Sequence, residues 1–463
     1  MDCYQIFFYF LYNYTCRFYI FLIKYRFKKV SMKKIVTFLV AYFILVTSFF
    51  AQSEKLSNRV LTVDDAVMLA ADNNISLQRQ KISVDLSKKR SDFSWNSVSP
   101  SIRASGSYSL PFDNTDKWTM GASVSLSMNL TPSLYTSIRG AKMNYEQGIL
   151  NYEAAVRTVE LNVRKLFYNL LYTKEYLNLL QRNMDTAKQR YNLNKDKYNR
   201  GQLSELDLFS SQYNYESMIP TFESAQISYD NSIASFKQTL GIAQNVEIEL
   251  SGNLEDYDFI EEITIDTAID EIPSVKAIQA QIDSAKNQLL ATRFTAWGPS
   301  ISLSYSYGKQ NSLPIMGIGD RSWSTTGNAL GVSVSIPLDG YLPWSTGALS
   351  VAAQKATLKD LQLQLENQKT TAEISIQNSA KSIMQAQSQL DLRKKNVELA
   401  QKTYDMTLNA YNHGSRDLLT LQNAADSLMS AKINLMQQKF TLISAVLDLE
   451  NTLGIPFGTL GTK

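Results

Sequence analysis

The feature that most constrains this chain is an internal repeat, because short segments recur in the same order in its two halves. Leu240-Gly241-Ile242 returns as Leu453-Gly454-Ile455, and Tyr198-Asn199-Arg200-Gly201 returns as Tyr411-Asn412-His413-Gly414, both 213 residues later. Since duplicated folds tolerate length changes mainly in loops, we predict two copies of one plan. Each copy reads as helix, strand, strand, long helix, turn and returning helix, at about residues 60–250 and 263–457.

Four segments alternate apolar and polar residues with the period of two expected of a half-buried β-strand. They lie near residues 100–110, 121–130, 300–308 and 329–338. The polar positions are nearly all serine, which is typical of a water-filled barrel lumen with lipid on the other face. An antiparallel sheet over a soluble core is the alternative. The lumen serines that we predict are Ser105, Ser107, Ser125, Ser127, Ser302, Ser304, Ser333 and Ser335.

Four strands are too few to close a barrel, since about eight are needed. Open strand edges are not tolerated in lipid. If these strands cross a membrane, several chains must therefore share one barrel. Three chains would supply twelve strands, an even number in the range that bacterial barrels use.

Each copy also contains a long stretch without proline, about residues 135–199 in the first copy. Some 65 residues at a rise of about 1.5 Å each give a helix of roughly 95 Å. Apolar residues recur every seven positions in both copies, with polar companions such as Thr173 and Asn194, which favours many helices side by side. We expect Gly201 and Gly414 to end the long helices at one distal tip. Pro220 should kink or split the first returning helix.

The amino terminus has the pattern of a targeting segment. Residues 32–51 combine Met32-Lys33-Lys34, an apolar run and Ala51, as in a secretory signal peptide. Residues 1–31 precede a complete signal peptide, so we interpret them as an upstream extension with Met32 as the true start. An uncleaved membrane anchor is the alternative.

Composition excludes several classes of function. The chain has one histidine, His413, and two cysteines, Cys3 and Cys16, which is too few for a Cys-rich zinc site or a disulfide framework. Residues 1–51 hold seven of the 46 basic and one of the 43 acidic residues, so the remainder has a net charge of −3. We therefore expect no nucleic-acid partner. There is no G-x-x-x-x-G-K-[ST] loop either, and we predict neither enzymatic activity nor a cofactor.

By its duplicated order of elements, the chain resembles the TolC family of outer-membrane efflux and secretion channels. Leu61-Thr62-Val63-Asp64-Asp65-Ala66-Val67 resembles the family's opening helix, and the two glycine-containing turns resemble its paired tips. The likeness spans about residues 60–460. It implies an α+β membrane protein: a trimeric 12-stranded outer-membrane β-barrel, four strands per chain, continued by a long α-helical coiled-coil barrel across the periplasm.

The same resemblance implies roles for individual residues and partners. Asp207, Tyr411 and Arg416 fall on the family's gating residues, which hold the tunnel shut. Thr420 and Asn423 stand where the best-known members place two lumen-facing aspartates, so an acidic ring is not expected there. The resemblance also implies a periplasmic adaptor and an inner-membrane pump, either proton-driven or an ABC transporter. The adaptor-docking residues that it implies are Gly201, Leu203, Ser204, Gly414 and Ser415.

The function predicted from these features is a passive outer-membrane channel for small molecules or proteins. It would be the exit duct of a tripartite efflux pump or a type I secretion system. A periplasmic adaptor with one helical hairpin is the first alternative, although two equal copies with strand pairs argue against it. A structural coiled-coil protein is the second, and the serine-lined strands argue against that.

Overall fold

A computed structural model describes residues 59–109, 117–254, 258–259, 269–314 and 322–462. The predicted upstream extension and signal peptide lie outside the described residues. From Val60 onward the chain forms one contiguous unit. Within the described ranges, no helix combines the length and the low polarity that crossing a membrane requires.

Both predicted long helices are present, and each has 67 residues. The opening helix begins at a capping box, in which Thr62 and Asp65 satisfy each other's backbone N–H groups. The helices are α1 Val63–Asn73, α2 Ile75–Asp92, α3 Ser133–Asn199, α4 Glu205–Leu240, α5 Pro273–Trp297, α6 Thr346–Asn412 and α7 Leu418–Leu453.

The four amphipathic segments form one antiparallel sheet with the strand order β2-β3-β6-β7. Three of its strands, β3, β6 and β7, extend further at one end than the alternation of polar and apolar residues predicts. The reason is that the strands remain hydrogen-bonded where polar residues, such as Lys309 and Gln310, occupy both faces. The last strand ends at Ser335, earlier than predicted and two residues before Pro337. The strands are β1 Arg59–Leu61, β2 Ser101–Ser109, β3 Lys117–Leu130, β4 Ile248–Leu250, β5 Asp258–Phe259, β6 Ser300–Pro314, β7 Ser322–Ser335 and β8 Gly461–Thr462.

The helices pack side by side in four columns. α3 packs against α4 and α2 on one side and against α7 and α5 on the other, and α6 packs against α7 and α5. The order across the layer is therefore the α4/α2 column, α3, the α7/α5 column and α6. The α4/α2 column and α6 are the two outer members.

Two of the columns consist of shorter helices joined end to end. The Asn74 side chain caps the start of α2 and donates to the Thr239 carbonyl at the end of α4 over 2.7 Å. In the other column, a Cβ on Gly454 would come within 2.8 Å of the Pro273 ring, so only glycine permits this approach of α7 to α5. Each pair of short helices thus runs alongside a single long one.

The apolar core lies between these columns, and its first cluster extends to the small strands β1 and β4. One cluster centres on Phe167, Leu170 and Phe236, and a second on Ile383 and Leu442. All five side chains are at most 2 % exposed. Their burial removes apolar surface from water and holds the four columns together.

Of the two outcomes predicted for Pro220, a kink or a split of the helix, the split is wrong, since α4 is continuous from Glu205 to Leu240. Pro220 is exposed. The carbonyl of Glu216, which loses its helical partner, can therefore be hydrated, and this reduces the cost of proline inside a helix.

Arg157 of α3 holds the carboxyl-terminal end of α7. Its guanidinium donates to the carbonyls of Glu450, Gly454 and Ile455 at 2.7–2.9 Å. The Glu450 carboxylate is fully buried and accepts N–H bonds from Gly458 and Leu460 at 3.0 and 2.7 Å. The Arg157 bonds supply partners to carbonyls at the helix end, and the Glu450 bonds supply partners to N–H groups of the segment that follows. Together they anchor the base of the second hairpin.

Candidate channel surfaces and tip

The serines of the sheet share one face. Ser105 and Ser123 hydroxyls lie 2.8 Å apart across β2 and β3, and the Ser302 hydroxyl donates to the Asn129 side chain over 2.8 Å. Cross-strand pairing aligns the other predicted serines with residues of this same face. All eight predicted lumen serines therefore lie on one side of the sheet, which we name the serine face.

The opposite face of the sheet is apolar and equally open. Ile102, Leu330 and Val334 are between 64 % and 76 % exposed. β2 and β7 form the edges of this sheet. A sheet with two exposed faces of opposite polarity fits a boundary between water and lipid.

The outer helices carry apolar residues on two opposite sides. α6 buries residues such as Ile376 and Ile383 against its neighbours within the chain. At about 100° per residue, its exposed large apolar side chains fall within an arc of roughly 100° on the other side. We name this set the α6 stripe: Leu349, Leu363, Ile374, Met384, Leu392, Leu399 and Met406.

α4 has the same two-sided character. Phe236 and Leu240 are buried against the rest of the chain, whereas Leu206, Phe209, Tyr213 and Ile227 are exposed on the opposite side and form what we name the α4 stripe. In contrast, α7 exposes only Leu419 among its large apolar side chains. Unlike a surface helix of a monomer, each outer helix thus presents an apolar surface that its own chain leaves uncovered.

The two hairpin turns have matching backbone geometry. Gly201 and Gly414 both have φ of 72°, the left-handed conformation that favours glycine. In each turn the following residue donates its N–H to a carbonyl five positions earlier, over 2.9 Å: Gln202 to Lys197 and Ser415 to Ala410. Both glycines are exposed, and a Cβ at either position would meet nothing within 4 Å. The implied docking residues Leu203 and Ser204 follow the first turn directly.

Each returning helix begins with a side-chain cap. Ser204 accepts the Asp207 N–H and donates its hydroxyl to the Asp207 carboxylate over 2.6 Å. The Asp417 carboxylate accepts from the hydroxyl and the N–H of Thr420. These hydrogen bonds lower the pKa of Asp417 below its ordinary value. The acid implied as a gate residue in the first turn is therefore held in place by Ser204, the residue that caps α4.

The structure brings two of the three implied gate residues together. Tyr411 near the end of α6 lies close to Asp207 at the start of α4, and to Arg190 and Asn194 of α3. Burial raises the pKa of the Tyr411 hydroxyl, Arg190 and Asn194 oppose this rise, and Asp207 adds to it. Since Tyr411 and Asp207 belong to different hairpins, both turns lie at one end of the helical layer, as predicted.

The third implied gate residue, Arg416, is exposed, and its charge acts on the neighbouring Asp417. Arg190 and Asn194 were missed by the sequence analysis as neighbours of Tyr411. Asn194 is only 1 % exposed. A polar residue at an apolar heptad position was the signal that could have drawn attention to it. Across the described ranges, no three His, Cys, Asp or Glu side chains converge as a metal site would require.

Comparison with known proteins agrees with this architecture. The chain is 21 % identical over 357 residues to outer membrane protein TolC of Escherichia coli K12, covering 71 % of this chain and 69 % of that protein. Its fold is similar to the Campylobacter jejuni CmeC outer membrane channel, with a TM-score of 0.67 and 19 % identity over 87 % of this chain and 90 % of that one. The Neisseria gonorrhoeae MtrE outer membrane channel gives a TM-score of 0.66 and 19 % identity, over 85 % and 89 %.

The sequence profile of one family, outer membrane efflux protein, matches two long segments of the chain. The first covers residues 66–241 and the second residues 264–455. Together they include most of the described helices and the whole four-stranded sheet. The chain belongs to the outer membrane efflux protein family.

Proposed function

We propose that this outer-membrane efflux protein is the passive exit duct of a tripartite assembly, either an efflux pump or a type I secretion system. Three copies form one channel, and a periplasmic adaptor joins its helical end to an inner-membrane pump. The pump, proton-driven or an ABC transporter, supplies the energy. The cargo is a small molecule or a protein.

The single observation that carries this proposal is the four-stranded sheet with its two open faces. Four strands do not close a barrel, and strand edges cannot stay unpaired in lipid. Three copies provide twelve strands, with β7 of each copy paired to β2 of the next. The serine face would then line water and the apolar face would contact lipid.

The outer helices support the same assembly. In a ring of three copies, the α6 stripe of one copy meets the α4/α2 column of the next. Phe209 lies eight residues after Gly201 and Met406 eight residues before Gly414, so they stand at the same height above the tip. Burial of these stripes would contribute about 25 cal/mol per Å² of apolar surface removed from water.

The tip supplies the proposed gate and docking site. Asp207 and Tyr411 stand near each other on the two hairpins of one copy, while the exposed Arg416 is free to reach a neighbouring copy. Each exposed pair contributes about 1 kcal/mol or less, so three copies would hold a closed state that a partner could open. The adaptor would dock on the exposed turns at Gly201, Leu203 and Ser204, and at Gly414 and Ser415.

The test is the mass and conductance of the purified protein. In mild detergent, light scattering should give three copies per particle, and the same sample should form conducting channels in planar lipid bilayers. A folded monomer, or a trimer that never conducts, would contradict the proposal. Loss of drug resistance or of a secreted protein on deletion of the chain would then separate efflux from secretion.

A further inference from the structure

Arg103 stands among the serines of β2. Its neighbours Ser101 and Ser105 have hydroxyls 2.7 and 2.8 Å from those of Ser127 and Ser123 on β3. Arg103 lies two residues from each of these serines along the strand, so its side chain is on the same face of the sheet, and it pairs with Ser125. Its side chain is exposed on the serine face.

Among the strand side chains that the structure describes, Arg103 has no charged neighbour on the serine face. Side chains on the four strands are described for residues 101–109, 119–130, 300–311 and 328–335. Within these ranges, Arg103 is the only charged residue on the serine face, and no carboxylate accompanies it. Lys309 pairs with Ala122, which alternates with the serines of β3, so its position belongs to the opposite face of the sheet.

The side of the sheet decides what Arg103 can contact. Ile102 and Ala104 occupy the apolar face, so Arg103 points away from the surface that would contact lipid headgroups. An arginine side chain carries a positive charge and only hydrogen-bond donors. Arg103 therefore places a positive charge on the serine face.

We propose that Arg103 sets the charge selectivity of the channel by forming a ring of three guanidinium groups in the barrel lumen, favouring anions and anionic cargo. The inference rests on the proposed function, because it needs the serine face to line a trimeric pore. Rings of arginine or lysine act in this way in anion pores.

The dimensions of such a pore make the ring effective. Twelve strands about 4.8 Å apart, tilted by about 40°, give a backbone radius of roughly 12 Å. The Arg103 side chains project inward from this wall, which brings their charges within about one Debye length, roughly 10 Å at 0.1 M salt, of the axis. The low-dielectric wall focuses their field on the passing ion.

The experiment is the reversal potential of single channels in planar bilayers under a tenfold KCl gradient. Wild-type channels should prefer chloride, Arg103→Ser should lower the chloride-to-potassium permeability ratio by about twofold or more, and Arg103→Glu should reverse the preference. Lys309→Gln is the matched control on the same sheet and should leave the ratio unchanged.

The outcomes separate this inference from the proposed function. Conducting channels whose reversal potential is the same in wild type, Arg103→Ser and Arg103→Glu would overturn the role of Arg103 and leave the duct intact. An equal change in Lys309→Gln would also overturn it, because the effect would then reflect net charge. If wild-type protein forms no channel, both the duct and this inference fail.

Discussion

The returning helices α4 and α7 have the same length, yet the chain buries them very differently. Each has 36 residues, follows a glycine turn and ends at a left-handed glycine, Gly241 or Gly454. α7 has eleven buried residues, whereas α4 has three. α7 stands between α3 and α6, while α4 is an outer member of the layer and has neighbours on one side only.

The difference teaches that position in the layer, not helix length or capping, decides how much of a helix one chain can bury. α7 buries its apolar side chains against other helices of its own chain. α4 and α6 each keep one apolar side open, and we propose that other copies of the chain cover these sides.

The largest expected effect is a covalent trimer from one cysteine pair. With Cys3 and Cys16 changed to serine, Phe209→Cys combined with Met406→Cys should form disulfide bonds between copies, because both positions lie at the same height on the proposed seam. Non-reducing gel electrophoresis should show dimers and trimers. Ile227→Cys with Met406→Cys is the control, since about 18 residues of height, roughly 27 Å, separate those two positions. Equal cross-linking of both pairs would refute the seam.

The next largest effect is expected when a buried side chain of α7 is truncated, in comparison with an exposed side chain of the α4 stripe. Leu442→Ala removes a fully buried side chain and should destabilise the protein by about 2–5 kcal/mol, measured by far-UV circular dichroism during denaturation in detergent. Ile227→Ala removes an exposed side chain and should mainly weaken association. Its unfolding midpoint should therefore depend more strongly on protein concentration than that of wild type. A large loss of stability that does not depend on protein concentration would mean that Ile227 is buried within one chain.

A smaller effect is expected at the turns. Arg416→Ser should increase the open fraction of single channels about fivefold or more, since the variant removes a pair from each of the three copies and a total loss of only roughly 1 kcal/mol already changes an equilibrium by that factor. Arg200→Ser, a matched change in the first turn, should have little effect because the Arg200 side chain bonds the carbonyl of Asp196 in its own helix. If both variants open the channel equally, the effect reflects general loosening of the tip. If neither does, Arg416 is not a gate residue.

The smallest effect concerns the Asp417 cap at the start of α7. Because its native hydrogen bonds lower the pKa of Asp417 below 3.8, the cap stabilises α7 above that pH and is lost as the pH falls through the lowered pKa. Hydrogen exchange should then show weaker protection in the first turn of α7. Asp417→Asn, which retains a capping oxygen, should abolish this pH dependence. An unchanged acid response in Asp417→Asn would assign the titration to another group.

Much of the fold could be predicted from the sequence because its determinants are local. Alternation of serine and apolar residues located the strands, and absence of proline with a seven-residue period located α3 and α6. Gly201 and Gly414 marked the turns. The strand ends were less accurate, because β6 continues through Lys309 and Gln310 where alternation no longer distinguishes the two faces.

What the sequence alone determined is therefore the set of elements, their polarity and the family resemblance. Only the tertiary structure decided which elements are neighbours: Asn74 bonds Thr239, Arg157 bonds the end of α7, and Tyr411 lies near Asp207 and Arg190. These partners are separated by more than 160 residues and are joined by the packing of columns, which no local pattern encodes. The same packing makes α4 and α6 the outer helices, because it uses both sides of α3 and α7 and leaves one apolar side of each outer helix open.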